Sequence, residues 1–165
     1  MTIVDVIKES QVFQNLSTEQ LQKVASISRE ETYAAGQYIF REGDQARSLF
    51  VIEEGKVILE MKITSPAERP VSLRATIDGL IKGDVLGWSA VVEPHILTLS
   101  AHALDSCKVI AIDSSKLLEL MDSDPLMGHE AMKQLSKVIS SRLTHTRQML
   151  ISERGLALLS EVYRY

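Results

Sequence analysis

The hydrophobic residues near the N-terminus recur at the spacing of a helix, which places them on one face of that helix. The residues that share this face are Ile3, Val6 and Ile7. A second helix is predicted to begin at Ser17, because Ser17 and Gln20 have the spacing of a capping box. We therefore expect N-terminal helices within residues 1–30.

From residue 31 to residue 112 the period changes to two, because apolar and polar residues alternate in short runs separated by glycines. The polar segment 64–70 contains two prolines and predicts a hairpin tip, and the last strands are predicted at 98–103 and 108–112. Many short strands between helical ends predict a mainly β roll capped by helices. The clearest run predicts one strand face made of Val57, Leu59, Met61 and Ile63.

The C-terminal part of the chain returns to helical spacing. Asp113 and Asp124 are suitable capping residues, and Pro125 suits a first helical position. We expect helices over 113–154, the longer one ending near Glu153, and a tail over 155–165. The apolar stripe of the longer helix predicts a homodimer interface, with the roll of the same chain as the alternative cover. The stripe consists of Leu135, Ile139, Leu143 and Leu150.

Two glycines four residues apart, Gly83 and Gly87, open the stretch Gly83–Ala103. The pattern predicts a turn, a single short helix and a return into a strand. Glycine allows unusual backbone angles and close approach to a ligand, and the free N–H groups at a helix start attract anions. The stretch is therefore either a small anion site or an ordinary turn between strands.

Three glycine-containing blocks occur in a specific order and spacing: Phe40–Asp44 (FREGD), Leu49–Val57 (LFVIEEGKV) and Gly83–Gly87 (GDVLG). Over residues 12–147 the chain resembles the cyclic-nucleotide-binding domain superfamily, the β-roll module of the catabolite activator protein and of cyclic-nucleotide-regulated kinases. The resemblance implies an α+β, mainly β fold: a double-stranded β-helix, or jelly roll, with N-terminal helices and a long C-terminal helix. It also implies one domain over 1–165, with a β-roll over 31–112 and a phosphate-binding-type cassette over 83–101.

The chain departs from the family pattern at both charged cassette positions. Trp88 stands where a ribose-binding Glu is expected, and Leu97 or Thr98 stands where a phosphate-binding Arg is expected. We therefore expect weak binding of cAMP and cGMP, with a cyclic nucleotide or another small anionic ligand as the candidates. Trp88 either plugs the place of the ribose or offers a flat face to a different ligand. The candidate ligand-binding residues are Gly83, Gly87, Trp88, Ser89, Ala90, Leu97, Thr98, Leu99 and Thr146.

Thr146 enters this set because aligning Arg142-Leu143 with the Arg-Leu of the family places it where a threonine contacts the purine base. The alternative is an ordinary threonine at a helix interface. After Gly155 only ten residues follow. The DNA-binding domain of the family's transcription factors needs several times that length, so we expect none here.

Composition and charge reduce the number of function classes that the sequence allows. The chain of 165 residues is 45% hydrophobic and 24% charged, as in ordinary globular proteins, and its net charge of −4 disfavours DNA binding on its own. No run reaches the ~18 apolar residues of a membrane span, so we expect no membrane insertion. Cys107 is the single cysteine and forms no internal disulfide, which predicts a reducing, cytoplasmic setting.

The sequence does not predict an enzyme. Ser89 follows a Gly-x-Ser pattern, but the second glycine of a nucleophile elbow is missing. The four histidines lack the spacing of metal ligands, so no metal site is expected. The leading hypothesis is a ligand-sensing regulatory domain that signals to a protein partner. The alternative is a degenerate module that only dimerises or docks a partner.

Overall fold

The computed structural model describes the backbone of residues 1–64 and 72–162, and the side chains of residues 1–63 and 73–153. The predicted hairpin tip lies outside the described residues, except for Thr64. The helices are α1 (Ile3–Glu9), α2 (Thr18–Ser26), the 3-10 helix (Trp88–Val91), α3 (Ser114–Ser123) and α4 (Pro125–Val162). The strands are β1 (Ser28–Tyr33), β2 (Tyr38–Phe40), β3 (Ser48–Glu54), β4 (Val57–Thr64), β5 (Ser72–Leu80), β6 (Val85–Leu86), β7 (Ser100–Ala103) and β8 (Cys107–Asp113).

The strands form two four-stranded antiparallel sheets, one in the order β1-β8-β3-β6 and the other in the order β2-β7-β4-β5. All strand pairs in both sheets are antiparallel. The four α-helices lie towards the two ends of the chain, α1 and α2 before the first strand and α3 and α4 after the last. The fold is therefore the mainly β jelly roll with N-terminal helices and a long C-terminal helix that the sequence predicts.

The central strands β8 and β3 of the first sheet are buried on both faces, unlike the edge strand β1, which is partly exposed. This burial explains why β3 reads as a continuous apolar run. Leu49 and Val51 pack in the cluster that contains the helices. Phe50 and Ile52 point the other way and pack between the two sheets. Successive side chains of a strand face opposite sides, so a strand between two layers must be apolar throughout. Strand β8 follows the same rule, with four consecutive buried residues from Val109 to Ile112.

The helices begin where capping side chains predict. Ser17 and Gln20 form the expected capping box, since Gln20 N–H donates to Ser17 Oγ and Ser17 N–H donates to Gln20 Oε1. Asp113 caps α3, and Asp124 accepts a hydrogen bond from the N–H of Met127 in the first turn of α4. These bonds satisfy N–H groups that a helix start leaves free.

Two local predictions were wrong. The predicted face of β4 is interrupted, because the pairing of β4 with β5 shifts register between Leu59 and Glu60; Glu60 is buried, and Met61 and Ile63 beyond it are exposed. The C-terminal helix does not end near Glu153 but continues to Val162, into the predicted tail. A single interior glycine such as Gly155 costs a helix only about 1 kcal/mol, and the leucines and alanine that follow favour the helix.

The apolar stripe of α4 does not form one continuous exposed face. Leu135 is 2% exposed and packs in the core of its own chain, which corrects its assignment to a dimer interface. Ile139 packs against the same core, while Leu143 and Leu150 are 48% and 50% exposed. The first half of the stripe is therefore packed in the fold, and the second half is about half exposed. No helix in the described part of the chain is both long and apolar enough to cross a bilayer.

Candidate functional site

The cassette folds as a turn, one short helix and a return strand, as the sequence predicts. Strand β6 ends at Leu86, Gly87 adopts a left-handed backbone with φ of 75°, and the 3-10 helix follows at once. The return strand β7 begins at Ser100, two residues later than expected.

Gly87 is required by its conformation and by its surroundings. A β-carbon added there would lie 3.1 Å from the carbonyl oxygen of Ser48 and 3.2 Å from the ring of Phe50. Both the positive φ and this close approach disfavour a larger residue. The short helix is thereby held tightly against β3.

A small cavity, called here the inner cavity, lies inside the roll beside the short helix. Its volume is about 30 Å³, which is room for roughly two water molecules. Pockets for drug-sized ligands occupy ~300–1,000 Å³, so the inner cavity is too small for a nucleotide. It is lined by Phe40, Leu59, Gly87, Trp88, Ser89, Leu97, Thr98, Leu99 and Arg142.

A larger space, called here the outer cleft, lies between the roll and α4 and has a volume of about 250 Å³. Four residues line both spaces: Leu59, Trp88, Leu99 and Arg142. The remaining lining of the outer cleft is Ile77, Asp78, Ile139, Leu143 and Thr146.

Arg142 connects α4 to the cassette. Its guanidinium carbon lies 4.7 Å from the centre of the Trp88 ring, its Nη2 donates to the carbonyl oxygen of Val85 at 2.5 Å, and its Nε is 3.8 Å from Asp78 Oδ2. Stacking of this kind contributes about 0.5–2 kcal/mol. Nη1 is buried and meets no acceptor among the described residues. Burial lowers the pKa of this guanidinium, opposed by the charges of Asp78 and Asp84.

The model of the cyclic nucleotide-binding domain family matches residues 30–124 of the chain. The chain belongs to this family. The cGMP-dependent protein kinase isozyme 1 of Drosophila melanogaster is 32% identical over 142 residues, which cover 81% of this chain and 18% of the kinase. The cyclic AMP receptor protein of Thermus thermophilus is 25% identical over 131 residues, covering 79% of this chain and 58% of the receptor. The chain thus spans less than two thirds of either relative.

Solved structures of the cyclic nucleotide-binding domain family share the fold. A cyclic nucleotide-binding domain from Methylobacillus flagellatus superposes with a TM-score of 0.75 at 17% identity, covering 92% of this chain and 82% of that one. The catabolite activator protein of Thermus thermophilus superposes with a TM-score of 0.66 at 24% identity, covering 92% and 63%. At identities of 17% and 24%, these two structures show that the fold is shared and nothing more.

The structure gathers most, though not all, of the predicted site residues. Gly83 and Ala90 line neither the inner cavity nor the outer cleft. The N–H of Gly83 bonds to Ile52 and its carbonyl accepts from Gln11, while Ala90 is buried against Ala46 and Leu97. The predicted residues that do line one of the two spaces are Gly87, Trp88, Ser89, Leu97, Thr98, Leu99 and Thr146.

Sequence reasoning did not place Phe40, Leu59, Ile77 and Asp78 at the site. They come from β2, β4 and β5, which approach the cassette only in the folded roll. Ile139 and Leu143 were predicted as dimer residues, yet both line the outer cleft of their own chain. Thr146 also lines the cleft, and its hydroxyl donates to the carbonyl oxygen of Arg142 at 2.9 Å.

A second polar cluster lies on the β2-β7-β4-β5 sheet, outside the linings of the inner cavity and the outer cleft. Glu60 accepts hydrogen bonds from the hydroxyl of Tyr38 at 2.6 Å and from Arg74, and its other oxygen is 3.6 Å from Nδ1 of His102. Burial alone raises the pKa of Glu60, but these partners outweigh burial and hold the pKa below its usual value. No three His, Cys, Asp or Glu side chains cluster as metal ligands in the described part of the chain.

Proposed function

We propose that this member of the cyclic nucleotide-binding domain family is a non-catalytic, ligand-responsive regulatory domain whose long helix carries the response. The observation that carries the proposal is the contact of Arg142 with the cassette. One side chain of α4 stacks on Trp88 and bonds to Val85, so a ligand that enters beside the short helix changes what holds α4. A ligand shifts a conformational equilibrium only if it interacts differently with the two states.

We propose further that Trp88 plugs the site and that cAMP and cGMP are poor ligands. The inner cavity is too small for a nucleotide, and the cassette positions expected to hold an acid and a base hold neither. Loss of one partner of a buried charged contact costs roughly 2–5 kcal/mol of binding free energy. Micromolar binding of either nucleotide is therefore not expected.

The second candidate function is an interaction module without a ligand. It is favoured by the exposed apolar residues in the second half of α4, which are Leu143, Met149, Leu150 and Ile151. We propose that these residues form a homodimer or receive another protein partner, because the net charge of −4 disfavours DNA as the partner. We also propose a cytoplasmic location, since the single cysteine, Cys107, is buried with a free thiol.

Native mass spectrometry of the protein purified without added nucleotide separates the two functions. A regulatory domain should carry a bound small molecule, or acquire one from a metabolite extract, and should then show altered hydrogen exchange in α4. A protein that stays bare in the extract, with unchanged exchange in α4, would support the interaction module and refute the sensor.

A further inference from the structure

The outer cleft differs chemically from a nucleotide site. Six of its nine lining residues are apolar, and the lining also holds one cation, Arg142, and one carboxylate, Asp78, which lie 3.8 Å apart. The apolar residues come from both walls, the roll and α4. They are Leu59, Ile77, Trp88, Leu99, Ile139 and Leu143.

Only two of the three guanidinium nitrogens of Arg142 lie near a partner among the described residues. Nη2 is bonded to Val85 and Nε lies beside Asp78, whereas Nη1 is buried without an acceptor among the described residues. A buried charged N–H without a partner is unfavourable, so an acceptor brought by a ligand would be bound strongly there. Guanidinium groups match planar, two-oxygen anions especially well.

Asp78 limits the charge of such a ligand. Its carboxylate lines the same cleft and lies 3.8 Å from the Nε of Arg142. A second negative charge on the ligand would be repelled by Asp78 and would meet no further cation among the described residues that line the cleft. The ligand that fits therefore has one negative charge and an otherwise apolar body.

Size and polarity together exclude larger ligands. A volume of about 250 Å³ lies just below the ~300–1,000 Å³ of pockets for drug-sized molecules. Beyond the Arg142–Asp78 pair, the described lining offers only two polar groups, the indole N–H of Trp88 and the hydroxyl of Thr146, which already donates to the backbone carbonyl oxygen of Arg142. Sugar hydroxyls and purine edges would thus be buried with few partners.

We propose that the outer cleft binds a small monocarboxylic acid with an aromatic or aliphatic body, its carboxylate accepting from Nη1 of Arg142. The inference rests on the proposed regulatory function and names the ligand class of that site. The apolar body lies between the face of β4 and β5 and the side chains of Ile139 and Leu143. The acid therefore contacts the roll and α4 at once.

The protein contains a reporter for this binding, because Trp88 is the only tryptophan and lines the cleft. Phenylacetate and octanoate are titrated while the emission of Trp88 is recorded, with phenylacetamide as the neutral match of the first acid. Both acids should give saturable changes, and phenylacetamide should bind at least tenfold more weakly. Equal binding of phenylacetate and phenylacetamide, or no saturable change with either acid, would overturn the proposal.

The role of Arg142 as the partner of the ligand carboxylate is tested with Arg142→Gln, which should remove the preference for the acid over the amide. Arg147→Gln is the matched control, because Arg147 is exposed on the same helix, and it should keep that preference. An unchanged preference in R142Q would show that Arg142 is not that partner. If R142Q does not fold, the comparison of phenylacetate with phenylacetamide on the natural protein still tests whether the cleft prefers a carboxylate.

The proposed ligand class and the proposed regulatory function would be refuted by different results. Tighter binding of cAMP than of both acids would overturn the carboxylate proposal and leave the sensor function standing. Saturable binding of the acids without any change in hydrogen exchange of α4 would confirm the site and refute its regulatory role.

Discussion

Leu97 and Thr98 are adjacent but chemically unlike places for the missing cation. Leu97 is 6% exposed and packs with Ala46 and Ala90, so an arginine there would bury its charge in an apolar cluster. Thr98 is exposed and also lines the inner cavity. Both residues line the inner cavity, but we expect Thr98 to be the better position for restoring the cation, because it is exposed.

Restoring both family charges should restore part of the nucleotide affinity. The double variant Trp88→Glu with Thr98→Arg removes the plugging ring and supplies an acceptor for the ribose and a cation for the phosphate. Calorimetry should show cAMP affinity at least tenfold above that of the natural protein, or about 1.4 kcal/mol. Trp88→Gln with Thr98→Gln is the control that opens the same space without charges. Micromolar cAMP binding by the natural protein would contradict the proposal that Trp88 plugs the site.

Gly87→Ala should destabilise the fold more than an alanine at a comparable glycine. Gly36 has a similar φ of 81°, but an added β-carbon would meet nothing within 4 Å, whereas at Gly87 it meets Ser48 and Phe50. Both variants bear the cost of a left-handed alanine, about 1–2 kcal/mol. Only Gly87→Ala adds the steric cost. Urea unfolding should therefore give the lower midpoint for G87A, and equal midpoints would refute the close packing.

At the scale of the element, β4 shows why alternation alone does not predict which residues are buried. Its first half follows the alternating pattern, with Val57 and Leu59 buried. Glu60 is then buried as well, because Tyr38, Arg74 and His102 from the three other strands of its sheet supply its partners. Those partners lie 14 to 42 positions away in the sequence, so no local pattern could reveal them.

The Glu60 cluster should make the stability of the second sheet depend on acidity. The pKa of Glu60 is lower in the fold than in the unfolded chain, so its stabilisation is present above about pH 4.3 and is lost as pH falls through the folded pKa. Glu60→Gln should lower the free energy of unfolding at pH 7 by about 1.5–3 kcal/mol.

The measurement is urea unfolding between pH 3 and pH 7. The difference between the natural protein and E60Q should shrink as the pH falls, because the natural carboxylate is then protonated too. The exposed substitution Glu119→Gln is the control and should leave the midpoint at pH 7 within about 0.5 kcal/mol. A difference that is independent of pH would mean that Glu60 acts through its shape alone.

At the scale of the whole molecule, the sequence predicts the architecture well and the site only in part. Capping residues, alternation and the three glycine blocks are local signals, and they predict the helix starts, the strands and the turn at Gly87. The cleft depends on α4 packing against β4 and β5, which is a non-local contact. Arg142 could be named as a cation in the sequence, but only the fold brings it onto Trp88.

The proposed homodimer depends on the half of α4 that the roll leaves uncovered. Leu143 and Leu150 are exposed and seven residues apart, the spacing of a coiled-coil seam. Sedimentation velocity at tens of micromolar should show a dimer, and Leu150→Glu should convert it to monomer, because a buried unpaired charge costs several kcal/mol. Gln148→Glu, an exposed neighbour, should stay dimeric. A monomeric natural protein would exclude the dimer, and a dimeric L150E would exclude this seam.

The length of α4 sets how far a small rearrangement at the cleft travels. At 1.5 Å per residue, the segment from Arg142 to Val162 is about 30 Å long. A tilt of about 10° at Arg142 would therefore move the last turn sideways by about 5 Å, roughly one helical pitch. Breaking the contact of one guanidinium with one indole would be amplified into a displacement comparable to the width of a side chain at a distant partner.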